Sequence, residues 1–380
     1  VVVLDGVRGV AILMVLCVHF IGDSPAYTTV GRALVKLANY GIWGVDLFFV
    51  LSGYLITGLL YDSRTSPRYF RNFYIRRTLR IFPLYYAVLA ALFILMPALP
   101  LTYPEGLGDS ARHQGWLWLY ASNWYLAIHQ AWALPYVGHF WSLAVEEQFY
   151  LLWPAVVLAL GRRSLLTACV VVAALALALR CALSFAGAGE VALVVLTPCR
   201  FDALCIGGFV ALAIRSAGLE RVAWIARRCI APFAVLVLLA SVWNALGGTL
   251  LDVVLPLRTT LVALTFGAGL AASLTAKPGG TAERLLGNRV ICFLGTRSYG
   301  LYVFHGIIAY GMVEHRGIFD ALATRVGFGA AMGIEAVGGA SLSILVAAVS
   351  YELFEKPILR LKNRLAPASP VRVLRPRPAE

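Results

Sequence analysis

The chain has 380 residues, 60% of them hydrophobic and only 13% charged, with a mean hydropathy of +0.80. A soluble domain carries about twice that charged fraction, so the composition excludes one and indicates a polytopic helical membrane protein. The net charge of +13 does not indicate nucleic acid binding, because the positive residues alternate loop by loop as membrane topology requires.

Apolar runs predict about ten transmembrane helices, near residues 7–22, 40–61, 82–100, 138–160, 164–186, 194–214, 229–246, 257–275, 298–315 and 328–350. With the N-terminus in the cytoplasm, 23 Lys and Arg fall in cytoplasmic segments and five in external loops, which predicts that both termini are cytoplasmic. The expected fold is therefore all-α: a membrane helical bundle over 1–357, then a basic, Pro-rich, disordered cytoplasmic tail over 358–380. No basic n-region precedes the first apolar run, which reads as a span rather than a cleaved signal. The seven Cys lie in or beside spans without CxxC or zinc spacing, so neither a disulfide framework nor a metal site is expected.

The first span, LDGVRGVAILMVLCVHF over residues 4–20, carries Arg8 near one end and His19 near the other. Eleven residues return to nearly the same helix face, about 20° off, and separate the two by about 16 Å. Ionisable groups inside a membrane usually face a cavity or a partner. The plain alternative is an Arg8 that snorkels to the interface and a His19 hydrogen-bonded in the bundle. In the second span, GVDLFFVLSGYLI, Asp46 needs a cationic partner, and a cation on the first helix is nearest in sequence. It reads equally as a structural tie between the first two helices. Ser52 and Gly53 resemble a small-residue packing face.

In RYFRNFYIRRTLRIFP, residues 68–83, arginines alternate with aromatic residues. Composition alone favours a basic helix lying on anionic lipid. The functional reading is a phosphate cradle formed by Arg76, Arg77 and Arg80, because the planar guanidinium binds phosphate bidentately. The Trp- and Tyr-rich external loop 101–136 contains an apolar piece, 115–128, too short to span comfortably. It is expected to be re-entrant or interfacial and could cover a site. In GHFWSLAVEEQFYLLWP, His139 and Glu146 are seven residues apart and share a face of the expected helix. The adjacent Glu146 and Glu147 must point in different directions. Further along, CRFDAL suggests a pairing of Arg200 with Asp202, SYGLYVFHG places His305 in a span, and the Gly-rich stretch 327–339 suggests close helix packing. There is no internal repeat, P-loop or GxSxG elbow.

LDGVRGVAILMVLCVH, GVDLFFVLSGYLI, FYIRRTLRIFPLYY, HFWSLAVEEQFYLLWP, SYGLYVFH and SYELFEKP occur in this order from about residue 4 to 357. Together they resemble the acyltransferase-3 family of integral membrane acyltransferases, which includes bacterial O-antigen and exopolysaccharide O-acetylases and macrolide acylases. The family's Arg–ten residues–His pattern falls on Arg8 and His19. Its RxxR pattern falls on Arg77 and Arg80, and its WSLxxE stretch on Trp141 to Glu147. The resemblance implies a multi-pass enzyme of the bacterial inner membrane that moves an acyl group, usually acetyl from acetyl-CoA, to a hydroxyl of a carbohydrate or similar acceptor. It implies no permanently bound cofactor, and no esterase-like extra domain is expected within these residues.

The residues suit that chemistry. A thioester is already activated, so the transfer requires a base for the acceptor proton and cations for phosphate and oxyanion. His19 suits the first role, while Arg8, Asp46, Glu146 and Glu147 would orient or charge the centre. The alternative is a transporter or flippase that uses the intramembrane charges as a proton relay. His139 and His305 are rivals to His19 as the base.

Overall fold

The computed structural model describes residues 2–22, 29–100, 103–247, 250–277 and 279–366, and among these it contains helices and no strand. Eight helical runs within the described residues are long and apolar enough to cross a membrane: Val2–Gly22, Thr29–Asp62, Tyr69–Ala98, Arg162–Phe185, Glu190–Ala217, Leu219–Ala245, Leu251–Ser273 and Phe328–Lys362. Large apolar side chains such as Leu151, Leu175, Leu238 and Leu345 are exposed on the outer surface. In water these would be a liability, whereas in a bilayer they meet lipid.

Two of the ten expected spans, near 138–160 and 298–315, are not among these eight. They are helices, Trp141–Ala159 and Ser298–Glu314, but one carries Glu146 and Glu147 and the other is short. Both are lined by neighbouring helices: 141–159 packs on Trp43–Asp62, and 298–314 packs on Phe328–Ser350 and the first helix. Helix 298–314 and the first half of 141–159, which carries Glu146, are covered in this way and can carry polar groups toward an internal cavity, while Leu151 and Leu152 further along face outward.

Close backbone approaches hold the inner bundle together. A Cβ on Gly53 would lie 1.9 Å from the Leu204 carbonyl oxygen, and one on Gly207 would lie 1.9 Å from that of Val50. Helices 43–62 and Thr197–Ala217 therefore cross in backbone contact, the small-residue mode of membrane helix packing. Gly9 and Gly295 do the same between the first helix and Arg289–Thr296. The expected packing at 327–339 is limited to Gly339, which meets Phe20 and Met312, while Gly329, Gly333 and Gly338 face open space.

The first helix, Val2–Cys17, ends in a π-helical turn, Val18–Gly22, that contains His19. The loop after residue 102 is built from short helices. Gly115–Trp118 and Ser122–His129 are separated by Tyr120, which adopts a positive φ of 51°. Asn123 anchors this loop by donating to the Thr197 hydroxyl at 2.8 Å, and its own oxygen accepts from Gln148 at 3.0 Å. The tail expected from 358 onward opens inside a helix, Lys356–Leu365, packed on Tyr69–Ala90, and residues 367–380 lie outside the described residues.

Candidate active site

Three of the cavities in the bundle share walls. The first, of about 140 Å³, is lined by Arg8, Arg77, Arg80, Ser52, Glu146, Tyr150 and Tyr302 among others. Arg77 and Arg80 are one helical turn apart and so reach the same space. Arg8 is tied to Asp5 at 2.6 Å. Neither Arg77 nor Arg80 has an ion pair among the described residues, and Glu146 is the only carboxylate on the lining. Two half-buried cations facing one carboxylate leave this lining with an excess of positive charge.

Glu146 is held in place by its own helix. Tyr150, one turn later, donates its hydroxyl to the Glu146 carboxylate at 2.7 Å and is itself hydrogen-bonded to Ser52. The Arg77 guanidinium lies 5.2 Å over the Tyr150 ring. Ser52 thus faces the cavity, and only its neighbour Gly53 serves helix packing. Glu147, about 100° around the helix, is not on this lining, and its Oε1 is buried without a hydrogen-bond partner among the described residues.

Arg76 also departs from the expected cradle. It points away from the cavity and donates to the Ala366 carbonyl at 2.8 Å. The rest of the basic run divides by helix face: Arg68 and Arg71 are exposed, while Arg64 donates to the Val157 carbonyl at 2.8 Å near the end of helix 141–159. Cations commonly serve such helix C-termini.

The second cavity, of about 380 Å³, lies toward the other end of the first helix. Its lining includes His19, His139, Trp132, Tyr136, Trp141 and Tyr302. The His19 and His305 rings are 5.0 Å apart, as are those of His139 and His305. The three histidines expected to be rivals are therefore one cluster. His139 and His305 are committed to backbone carbonyls, His139 Nε2 to Val303 at 3.2 Å and His305 Nδ1 to Tyr302 at 2.7 Å. His305 is fully buried behind the lining. The described residues contain no His, Cys, Asp and Glu group suited to a metal ion.

Val45 and Tyr302 belong to both linings, so the two cavities are separated by a single layer of side chains. The Tyr302 hydroxyl donates to the His139 carbonyl at 2.7 Å and is 2.5 Å from the Ser142 hydroxyl, which lines the arginine cavity. Sequence reasoning passed over Tyr302, although it lies three residues before His305 in SYGLYVFH. The loop covers the histidine cavity through Trp132 to Tyr136, and Gln130 and Tyr136 hold positive φ angles of 50° and 65° there. Non-glycine residues in that region are strained and concentrate at ligand sites.

Asp46 belongs to neither of these two cavities. It is buried and paired with Arg200, not with a cation of the first helix. The expected partner of Arg200, Asp202, is instead held by Arg180 at 2.6 Å and by Thr260 at 2.9 Å. Both pairings join helices that contact each other only in the folded bundle.

A multi-pass helical bundle with an arginine-lined cavity and a histidine-lined cavity end to end defines a membrane protein equipped to hold an anionic group on one side of a thin wall and a base on the other. Residues 1–351 match the family model described as an acyltransferase domain, and the chain belongs to that family, acyltransferase-3. The peptidoglycan O-acetyltransferase OatA of Listeria monocytogenes is 33% identical over 163 residues, 41% of this chain and 24% of that protein. YrhL of Bacillus subtilis, whose name assigns it provisionally to peptidoglycan O-acetylation, is 27% identical over 93% of this chain and 54% of its own length. The O-acetyltransferase OatA of Staphylococcus aureus is 26% identical over 80% of this chain and 49% of its own. The chain thus spans about half the length, or less, of these relatives. No solved structure matches.

Proposed function

We propose that this chain is a membrane O-acyltransferase that moves an acyl group, acetyl foremost, from acyl-CoA to a hydroxyl of a cell-envelope glycan. The observation that carries the proposal is the shared wall of Val45 and Tyr302 between the arginine cavity and the histidine cavity. The positive-inside distribution supports a cytoplasmic arginine end, where CoA is found. Arg77 and Arg80 take phosphate oxygens of the donor, with Arg8 adding positive charge deeper in the cavity. The pantetheine arm crosses the wall, and the roughly 16 Å from Arg8 to His19 is of the order of its length. The acceptor enters from the opposite side under the Trp132–Tyr136 loop, and the relatives' names point to a peptidoglycan hydroxyl as the first acceptor to try.

The chemistry is one acyl transfer. The acceptor oxygen attacks the thioester carbonyl while His19 takes its proton. The tetrahedral oxyanion collapses, the carbon–sulfur bond breaks, and the proton on His19 passes to the departing thiolate. His139 and His305, fixed by backbone carbonyls, limit where the His19 ring can sit, and Glu146 keeps the donor cavity from being uniformly cationic.

Donor binding is the first test. Purified protein in detergent or nanodiscs is expected to bind acetyl-CoA. Arg77→Lys and Arg80→Lys, which keep charge but lose the planar fork, should each weaken binding by roughly tenfold, the low end for one charged hydrogen bond. Absence of acetyl-CoA binding in the unaltered protein contradicts the proposal and favours the proton-relay transporter.

A further inference from the structure

The third cavity, of about 420 Å³, adjoins the histidine cavity and has no role in the transfer described above. The two share Ile42, Val45, Trp132 and Trp141. Beyond this aromatic partition the third cavity is lined by Arg180, Arg200 and Arg258, with Asp46 and the exposed Glu190 as its carboxylates. Two of the three arginines are already neutralised. Arg180 is bonded to Asp202, Thr260 and the Cys199 carbonyl, and Arg200 is bonded to Asp46.

Arg258 differs from them. It has no hydrogen bond or ion pair among the described residues, and its buried Nε is unsatisfied. The carboxylate of Asp252, one and a half turns earlier on the same helix, is engaged by the Ser184 hydroxyl at 2.7 Å. An arginine that faces a roomy cavity with open donors is suited to an incoming oxyanion, for which its fork provides two parallel bonds. The Trp132 and Trp141 rings, with centroids 6.5 Å apart, line both cavities and stand between this cation and His19. Aromatic faces of this kind bind the apolar side of a sugar ring.

We infer that the third cavity is an acceptor subsite in which Arg258 binds an anionic group, carboxylate or phosphate, carried by the saccharide whose hydroxyl is presented to His19. The inference rests on the transfer reading only for what happens at His19, since the anion subsite itself is a matter of binding. Its occupant is an acidic saccharide, with the sugar against Trp132 and the negative charge on Arg258.

The test is direct binding in the absence of donor, using detergent-solubilised full chain. The probes are a muramic acid disaccharide with a free lactyl carboxylate, its primary amide, and a hexose 1-phosphate beside its methyl glycoside. In the unaltered protein at least one charged probe should bind roughly 10- to 100-fold more tightly than its neutral counterpart, the range of a charge-assisted hydrogen bond. Whichever pair shows the preference identifies the anion. Arg258→Gln should abolish that preference while leaving binding of the neutral probes within about twofold, and Arg258→Lys should recover part of it. Equal affinity for charged and neutral probes in the unaltered protein overturns the inference, and so does a preference that persists in Arg258→Gln. If the protein shows the preference yet neither binds nor consumes acetyl-CoA, the transfer reading falls and the subsite stands.

Discussion

His19 occupies a π-helical turn at the end of the first span, a local widening that often marks functional positions in helices. Its ring is 5.0 Å from that of His305 and opens on the cavity under the Trp132–Tyr136 loop. On the proposed base role, His19 replaced by Ala should lose roughly 10²–10⁴ in turnover with acetyl-CoA affinity retained, because the proposed phosphate contacts lie at the other end of the helix. His139→Ala and His305→Ala should lose less on that proposal, in which these two rings, each bonded to a backbone carbonyl through one nitrogen, position His19. The measurement is CoA release and acylated product in parallel for the three variants. Unchanged turnover in His19→Ala makes the first helix structural. Spacing singles out Arg8 and His19, and the family resemblance singles out Arg77 and Arg80, while the Glu146–Glu147 pair stays undivided in the sequence. Arg8, His19, Arg77, Arg80 and Glu146 line the two cavities, and Glu147 does not. Asp46 was less legible, because its partner Arg200 is 154 positions away and only the fold brings them together. As a buried tie, Asp46→Asn should destabilise the protein by about 3–5 kcal/mol, read as a lowered melting temperature in detergent. Asp46→Leu with Arg200→Met should recover most of that loss, a rescue that a catalytic Asp46 would not show.

At the scale of helices, many of the polar residues that line or back the cavities sit on 141–159 and 298–314, two helices that are otherwise strongly apolar. The sequence suggested them as ordinary spans because their Leu, Val and Phe content is high. What it could not show is that other helices pack over the stretches that carry Ser142, Glu146 and His305, which is the condition for such groups in a membrane. The opposite error occurred at 327–339, where glycine content suggested packing and most of the glycines face open space. Gly53 and Gly207, like Gly9 and Gly295, are in backbone contact across a helix pair and so matter for assembly. A leucine at Gly53 would place its Cβ against the Leu204 carbonyl and must push helices 43–62 and 197–217 apart. Overpacking of this kind costs at least about 1–3 kcal/mol. Gly53→Leu should therefore yield little monodisperse protein on size exclusion, whereas Gly338→Leu, in open space, should behave as the unaltered chain. Equal yields for both would mean that the helices do not cross in contact there.

For the whole molecule, the arrangement of cavities matters more than any one residue. The arginine cavity lies near the Arg8 end, the histidine cavity lies toward the other end, and Val45 and Tyr302 stand between them. A bundle built in this way could perform transfer across the membrane without moving the whole donor through it. The decisive measurement uses proteoliposomes of known orientation, with acetyl-labelled acetyl-CoA confined to the arginine side and a membrane-impermeant glycan acceptor confined to the other. The account predicts labelled acetyl ester on the glycan and free CoA on the donor side, with no product when the two compartments are exchanged. Product only when donor and acceptor share one compartment, or transfer indifferent to orientation, would contradict it.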